Sequence, residues 1–258
     1  MSVGPEIFDL SDRVAVVTGA GQGFGRVFAQ GLARFGATVV SLDLDAGKAQ
    51  ETVDVLHDSG HRSAYAVQAD VSSLEAVKGA FDRVKRESGR VDVLVNNAGL
   101  WSFVPALELE LEEWKRVLDV NLTGTFLCCT AAGRIMVEQG KGSIINISSI
   151  SGVLGFKNRL AYAATKHGDL GITKSLANEW AAAGVRVNAI GPGAHLTEMT
   201  KTWRSDPEVF QREFIDKIPM GRFGDPDELI GPLIFLASDA SSYMTGQTVF
   251  SDGGWLLM

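Results

Sequence analysis

Cysteine is almost absent from this sequence. The only two, Cys128 and Cys129, are adjacent in TFLCCTAAG; a helix turns neighbouring side chains in different directions, so neither a structural disulfide nor a zinc site is expected. Histidine is scarce as well, with four in the chain. His57 and His61 have i, i+4 spacing, but HDSGH carries a helix-ending Gly60 between them, and no metal site is expected. Clustered positive charge is missing. The formal net charge is -7, and without a Lys/Arg face nucleic acid is not an expected partner. No apolar run reaches the roughly 18 residues of a membrane helix, and MSVGPEIFDLSDR is too polar and acidic for a signal peptide. A membrane partner is not expected, and the expected location is the cytoplasm.

Short β-branched runs alternate with long amphipathic segments, the pattern of a parallel sheet covered by helices on both faces. Strands are predicted at 13–18, 38–43, 63–68, 91–96, 142–148, 186–190 and 248–252. Helices are predicted near 24–35, 46–58, 73–88, 111–139, 161–183 and 226–238. Ser73 and Asp225 can cap helix N-termini, and Gly36, Gly60, Gly89 and Gly184 can end helices. No repeat or linker interrupts the pattern, so residues 1–258 are expected to form a single domain. The stretch from about 193 to 224 breaks the alternation and is long for a connection, which suits a substrate loop.

The first strand runs into TGAGQGFGR, residues 18–26. Glycines there let backbone approach a phosphate while the next helix offers free N–H groups and a positive dipole end. The spacing is not GxGxxG, because Phe24 and Arg26 stand where that pattern needs glycine. It is TGxxxGxG, with Gly19, Gly23 and Gly25. The second strand ends at Asp43, a carboxylate able to accept from both hydroxyls of an adenosine ribose and to repel a 2′-phosphate. Leu44 follows, with no Arg beside it. These residues favour NAD over NADP. An aspartate that merely ends a strand would leave the same trace.

Further on, LAYAATKHGDL places a phenol at Tyr162 and an ammonium at Lys166. Four residues apart on a helix, they share one face. A half-buried tyrosine with a lysine stem lying along it fits that spacing equally well. The ordered set decides between these readings: TGAGQGFG, ADV (69–71), NNAG (96–99), VNLTG (120–124), INISSISG (145–152), YAATK (162–166), GPG followed by Thr197, and YMTGQTVFSDGG. With these motifs the chain resembles the short-chain dehydrogenase/reductase family over nearly its whole length.

That resemblance implies a Rossmann-type, doubly wound sheet of about seven strands in the order 3-2-1-4-5-6-7, with a cofactor part over about 10–150 and a catalytic and substrate part over about 140–258. It implies that Gly19, Gln22, Gly23, Phe24 and Gly25 surround the pyrophosphate, and that Asp43 and Leu44 border the adenosine ribose. Asp70 and Val71 frame the adenine. Asn97, Ala98 and Gly99 lie along the cofactor, and Pro192, Gly193, His195 and Thr197 clasp its nicotinamide end. The implied catalytic set is Asn121, Ser149, Tyr162 and Lys166, with Ser148 as the alternative serine. Tyr162 exchanges a proton with the substrate oxygen while a hydride moves between carbon and nicotinamide; a free phenol is a poor base near its ordinary value of ~10, and a nearby ammonium favours the phenolate. Lys166 also holds the nicotinamide ribose, Ser149 donates to the substrate oxygen, and Asn121 anchors a water on the proton path.

For the substrate, Trp101, Phe103, Leu154, Phe156, Arg159, His195 and Trp203 are candidates beside Ser149 and Tyr162, each with packing or solvated surface as its alternative. His195 could bond a hydroxylated substrate and Arg159 a carboxylate. The segments IPMGRFGDPDEL, FLASDASSYMTGQ and DGGW look most like members acting on polyols, sugars and sugar acids. A 3-oxoacyl-thioester reductase is the alternative, and a nucleotide-sensing protein without catalysis is an alternative of another class. The family also implies a homo-oligomer, commonly a homotetramer joined through the long helices at 111–139 and 161–183 and the end GGWLLM.

Overall fold

A computed structural model of the chain describes residues 4–197, 200 and 207–257. Seven strands form in the predicted places: β1 Val14–Thr18, β2 Thr38–Asp43, β3 Tyr65–Gln68, β4 Val93–Asn96, β5 Gly142–Ile147, β6 Val185–Pro192 and β7 Thr248–Ser251. All neighbouring pairs are parallel, in the order β3-β2-β1-β4-β5-β6-β7. This is the Rossmann-type doubly wound sheet.

Strand alternation explains why both faces are covered. Ala15 and Val17 of β1, Val93 and Val95 of β4 and Ile145 and Ile147 of β5 join one buried cluster, with Phe28 and Leu32 of α1 (Gly23–Arg34) and Val53 and Leu56 of α2 (Ala46–Asp58). Val14, Val16, Leu94 and Ile144 belong to the other, with Phe81 and Val84 of α3 (Leu74–Ser88), Cys128 and Met136 of α5 (Gly124–Gln139) and Ala177 of α6 (Leu160–Trp180). Successive residues of a strand point to opposite faces, so each central strand is apolar throughout.

The capping signals act as predicted. Ser73 accepts from the Ala76 N–H at 3.2 Å to open α3, and Gly89 ends α3 at φ 74°. Asp225 forms a capping box with Glu228, but the turn it opens, Pro226–Leu229, is 3₁₀, and the α-helix begins only at Ile230.

The predicted helix at 111–139 departs from regularity in its middle. α4 (Leu111–Leu118) passes through a π turn, Asp119–Thr123, into α5. By length and composition the span Leu111–Gln139 could cross a membrane, contrary to the sequence expectation, yet 56% of its most apolar window is buried inside the protein. It is a core helix lying on the sheet. Within 193–224, the expected loop, the described residues include a short helix at Pro207–Glu213 and a 3₁₀ turn at Ile215–Lys217.

A buried polar chain ties the sheet to α6. Asn96 Nδ2 donates to Asn146 Oδ1 at 2.9 Å, Asn146 Nδ2 donates to Thr173 Oγ1 at 2.9 Å, and the Thr173 hydroxyl donates to the Asp169 carbonyl at 2.7 Å. Unpaired buried amides cost free energy, so this chain fixes α6 against β4 and β5.

Candidate active site

Strand order reverses between β1 and β4, and in open parallel sheets ligands bind at the carboxyl ends of the strands flanking such a switch. The glycine turn stands there. Gly19 has φ 62° and Gly23 φ 54°, backbone that side chains rarely adopt. A Cβ on Gly25 would lie 2.0 Å from the Gly19 carbonyl oxygen, so only glycine lets α1 start against the turn. Above Gly23 the space is open, and α1 begins with no side chain capping its N–H groups. An anion fits such a place: the orphan amides and the helix dipole both face it.

The turn is clamped from β4. Asn97 donates through Nδ2 to the carbonyls of Thr18 (2.9 Å) and Gly19 (3.2 Å), and the Asn97 and Ala98 N–H groups both donate to Thr18 Oγ1 at 3.0 Å. Thr18 is the first residue of the TGxxxGxG spacing, but the sequence reading gave it no role. At the end of β2 the Asp43 carboxylate accepts from the Gly21 N–H at 2.9 Å and the Asp45 N–H at 3.0 Å, fixing it beside the turn. Leu44 is exposed. Gln22 is exposed and accepts from Lys48 Nζ at 3.2 Å. Asp70 binds its own turn through the Ser72 hydroxyl and N–H, and Val71 is buried against Gly124.

At the end of β5, Ser148 and Ser149 separate clearly. The Ser148 hydroxyl donates to the Lys166 carbonyl at 3.0 Å, a structural bond to α6. Ser149 Oγ accepts from the Ser151 N–H at 3.0 Å, which occupies a lone pair and leaves the hydroxyl proton to point elsewhere. Asn121, fully buried within the π turn, accepts from the Leu100 N–H at 2.6 Å and donates to the Leu100 carbonyl at 2.9 Å. Gly99 lies beside the same carbonyl of its side chain. The π turn thus holds the strand-end loop that follows NNAG.

Tyr162 and Lys166 share one face of α6, with the ammonium 5.7 Å from the centre of the phenol ring. The Tyr162 ring lies tilted against Trp101, centroids 4.7 Å apart. Arg159, where the chain enters α6, places its guanidinium 4.3 Å from the Trp101 ring centre and 4.9 Å from that of Phe156. Burial pushes Arg159 down to about 10, opposed by the nearby Tyr162. Trp101, Phe156, Arg159 and Tyr162 thus lie side by side at the start of α6. Leu154 belongs to the neighbouring apolar cluster of Ile150, Ile218, Phe223 and Trp255, while Phe103 is mostly exposed. Trp203 lies outside the described residues.

Lys166 is nearly fully buried and donates to the Ile147 carbonyl at 2.8 Å and to Asp169 Oδ2 at 3.0 Å. Burial pulls its ammonium down, but the Asp169 carboxylate and Tyr162 outweigh that and hold it above the ordinary 10.5. Asp169 is 1% exposed; burial raises its carboxyl above the ordinary value, against the pull of Lys166. The sequence reading missed Asp169, whose i, i+3 spacing from Lys166 was its only signal.

The far end of the crevice is closed by the chain after β6. Pro192 ends that strand, Gly193 approaches the Asp252 backbone so closely that a Cβ would lie 2.6 Å from its Cα, and the Thr197 N–H donates to Thr200 Oγ1 at 3.0 Å. His195 turns inward. It is 4% exposed, packs edge-on against Phe24 with centroids 5.6 Å apart, and sits over Gly224. It therefore links this segment to the glycine turn rather than lining open space.

Comparison with known proteins agrees with this fold. The family model described as enoyl-(acyl carrier protein) reductase matches residues 19–256. The chain is 40% identical over 250 residues to 2-dehydro-3-deoxy-D-gluconate 5-dehydrogenase of Escherichia coli, covering 96% of this chain and 97% of that one. It is 39% identical to a 3-oxoacyl-[acyl-carrier-protein] reductase of Synechocystis, over 96% and 98% of the two chains. A gluconate 5-dehydrogenase from Burkholderia cenocepacia, solved with NADP and tartrate, superposes with a TM-score of 0.94 at 37% identity and 98% coverage of both chains. The fold and crevice define a nicotinamide-dependent oxidoreductase of alcohol and ketone groups. The chain belongs to the short-chain dehydrogenase/reductase family.

His195 makes a measurable prediction. Burial holds its imidazole below the ordinary 6.5, opposed by the Gly193 carbonyl. As pH falls the unfolded chain takes up this proton first, so the contribution is full above about 6.5 and is lost below it. Thermal midpoints measured from pH 7 down to about 5 are expected to fall less in His195→Asn than in the native protein; parallel curves would show that other groups govern acid stability.

Proposed function

We propose that this protein is an NAD-dependent dehydrogenase that interconverts a secondary alcohol and a ketone on a polyol, sugar or sugar acid, with Tyr162 as general base and acid. The observation that carries this reading is the buried Lys166 ammonium 5.7 Å from the Tyr162 ring. A bound nicotinamide supplies the two-electron acceptor or donor. The chain's own residues do the rest: Tyr162 takes the alcohol proton or returns it, and positive charge at Lys166 favours the phenolate. The Ser149 hydroxyl, its lone pair occupied by Ser151, donates to the substrate oxygen and fixes it in place. Asn121 steadies the Leu100 segment beside these groups, and a water anchored there would carry the proton between Lys166 and solvent.

The turn of Gly19, Gly23 and Gly25, open above Gly23, suits a pyrophosphate, and Asp43, held by two backbone N–H groups, supports NAD because its carboxylate would repel a 2′-phosphate. Arg159, stacked on Trp101 beside Tyr162, supports a substrate carrying a carboxylate, as do the gluconate-type names among the relatives. The Synechocystis relative favours a second reading, reduction of a 3-oxoacyl thioester; Asp43 counts against it in so far as that chemistry draws on NADPH. Exposed Leu107, Leu111, Phe126 and Leu160, on and beside the long helices, support a homotetramer. Acidic net charge and two free, buried cysteines suit the cytoplasm.

Three measurements test the reading. Tyr162→Phe is expected to lower turnover by ~10³-fold or more while NADH binding, followed by fluorescence, survives; unchanged turnover sinks the mechanism. In a panel of polyols, sugar acids, hydroxy esters and steroids, kcat/KM is expected to be highest for a sugar acid or polyol and at least about tenfold higher with NAD than NADP; a preference for NADP overturns the role given to Asp43. Sedimentation equilibrium is expected to give four chains per particle, and a monomer would refute the assembly.

A further inference from the structure

The buried pair beneath the phenol goes beyond this mechanism, which needs a positive Lys166 but gives no carboxylate a part. Lys166 has three N–H donors. Two are committed below the site, to the Ile147 carbonyl of β5 and to Asp169 Oδ2 on the next turn of α6. Both side chains are almost wholly removed from water, at 8% and 1% exposure. A buried ammonium without a counter-charge sheds its proton, because burial disfavours the charged form. Asp169 opposes that directly.

The other titratable groups that face the pair are few among the described residues. Tyr162 lies one turn back on α6, Arg159 faces the phenol from the entry to α6, and Cys129 approaches Asp169 from α5. Cys129 is a buried thiol raised well above its ordinary value, first by burial and then by Cys128 and Asp169, so it brings no charge of its own. The π turn contributes Asn121 and β5 a carbonyl, neither of which titrates. Within this shell Asp169 is the only carboxylate bonded to the lysine.

We infer that Asp169 is a positioning residue for the reaction: it fixes the Lys166 ammonium beneath Tyr162 and keeps it charged where little of it meets water. The inference rests on the reading of Tyr162 and Lys166 given above. It also divides the lysine's work, since two of its N–H groups are held by the protein and the third is left for a ligand in the crevice.

The test reads the lysine itself. In protein labelled with [¹³Cε]lysine, with no substrate or cofactor present, the Lys166 signal is assigned by its loss in Lys166→Arg. In the native protein it is expected to titrate above the exposed lysines. In Asp169→Asn, nearly identical in shape, the midpoint is expected to fall by about one unit or more, and in Asp169→Glu, which keeps the charge, by less. The alkaline limb of the kcat profile should move to lower pH in the same order. Equal Lys166 midpoints in native protein and Asp169→Asn, even with a lower melting temperature, overturn the inference and leave Asp169 a packing residue. If Asp169→Asn does not fold, a native Lys166 that titrates at or below the exposed lysines overturns it alone. An active Tyr162→Phe would sink the mechanism instead; an inactive Tyr162→Phe with an unmoved lysine sinks only this proposal.

Discussion

Everything at the crevice depends on the clamp between β1 and β4. Parallel strands leave their ends unjoined, and here two strands distant in sequence must hold a turn and a loop in one fixed relation. Thr18 and Asn97 do this with four hydrogen bonds between a strand end, a glycine turn and the NNAG loop. Thr18 is buried and the other groups are partly so, and breaking the clamp would leave the Thr18 hydroxyl and carbonyl short of partners. The cradle is therefore stiff before any ligand arrives. The value of the glycines is close approach and positive φ, as the spacing implied for the approach.

The second fixed relation is between the sheet and α6. Asn146 and Thr173 join them deep in the core, Ser148 joins them near the strand end, and Lys166 reaches the Ile147 carbonyl at the site itself. Catalytic candidates on a helix gain precision from such ties, since the helix cannot slide without breaking buried bonds. This frame fixes the end of β5, after which Ser149 follows, against α6, which carries Tyr162, although thirteen residues separate the two in the chain.

Much of this was legible in the amino acids. The β-branched runs located all seven strands, and TGAGQGFG, NNAG and YAATK located the crevice, because close backbone approach and a shared helix face leave plain spacings. Side-chain direction was less legible. His195 was read as a cofactor and substrate contact; its packing onto Phe24, where β6's exit crosses Gly224, could not be read from spacing. Asp169 read as one more polar residue on an amphipathic helix, since nothing local reveals that this face of α6 is covered by α5 and β5. Asn97 was read as lying along the cofactor, and the clamp its Nδ2 makes to the Thr18 and Gly19 carbonyls left no mark in the spacing. Long-range packing decides such matters, and spacing does not record it.

The π turn carries a further consequence. An α-helix advances about 100° per residue, so one extra residue in a turn rotates everything before it by that angle relative to everything after. α4 and α5 are thus two gears cut out of phase on one shaft, joined at Asn121. Each can present its apolar side to a different neighbour, and the place where the phase slips is the place where the site is held.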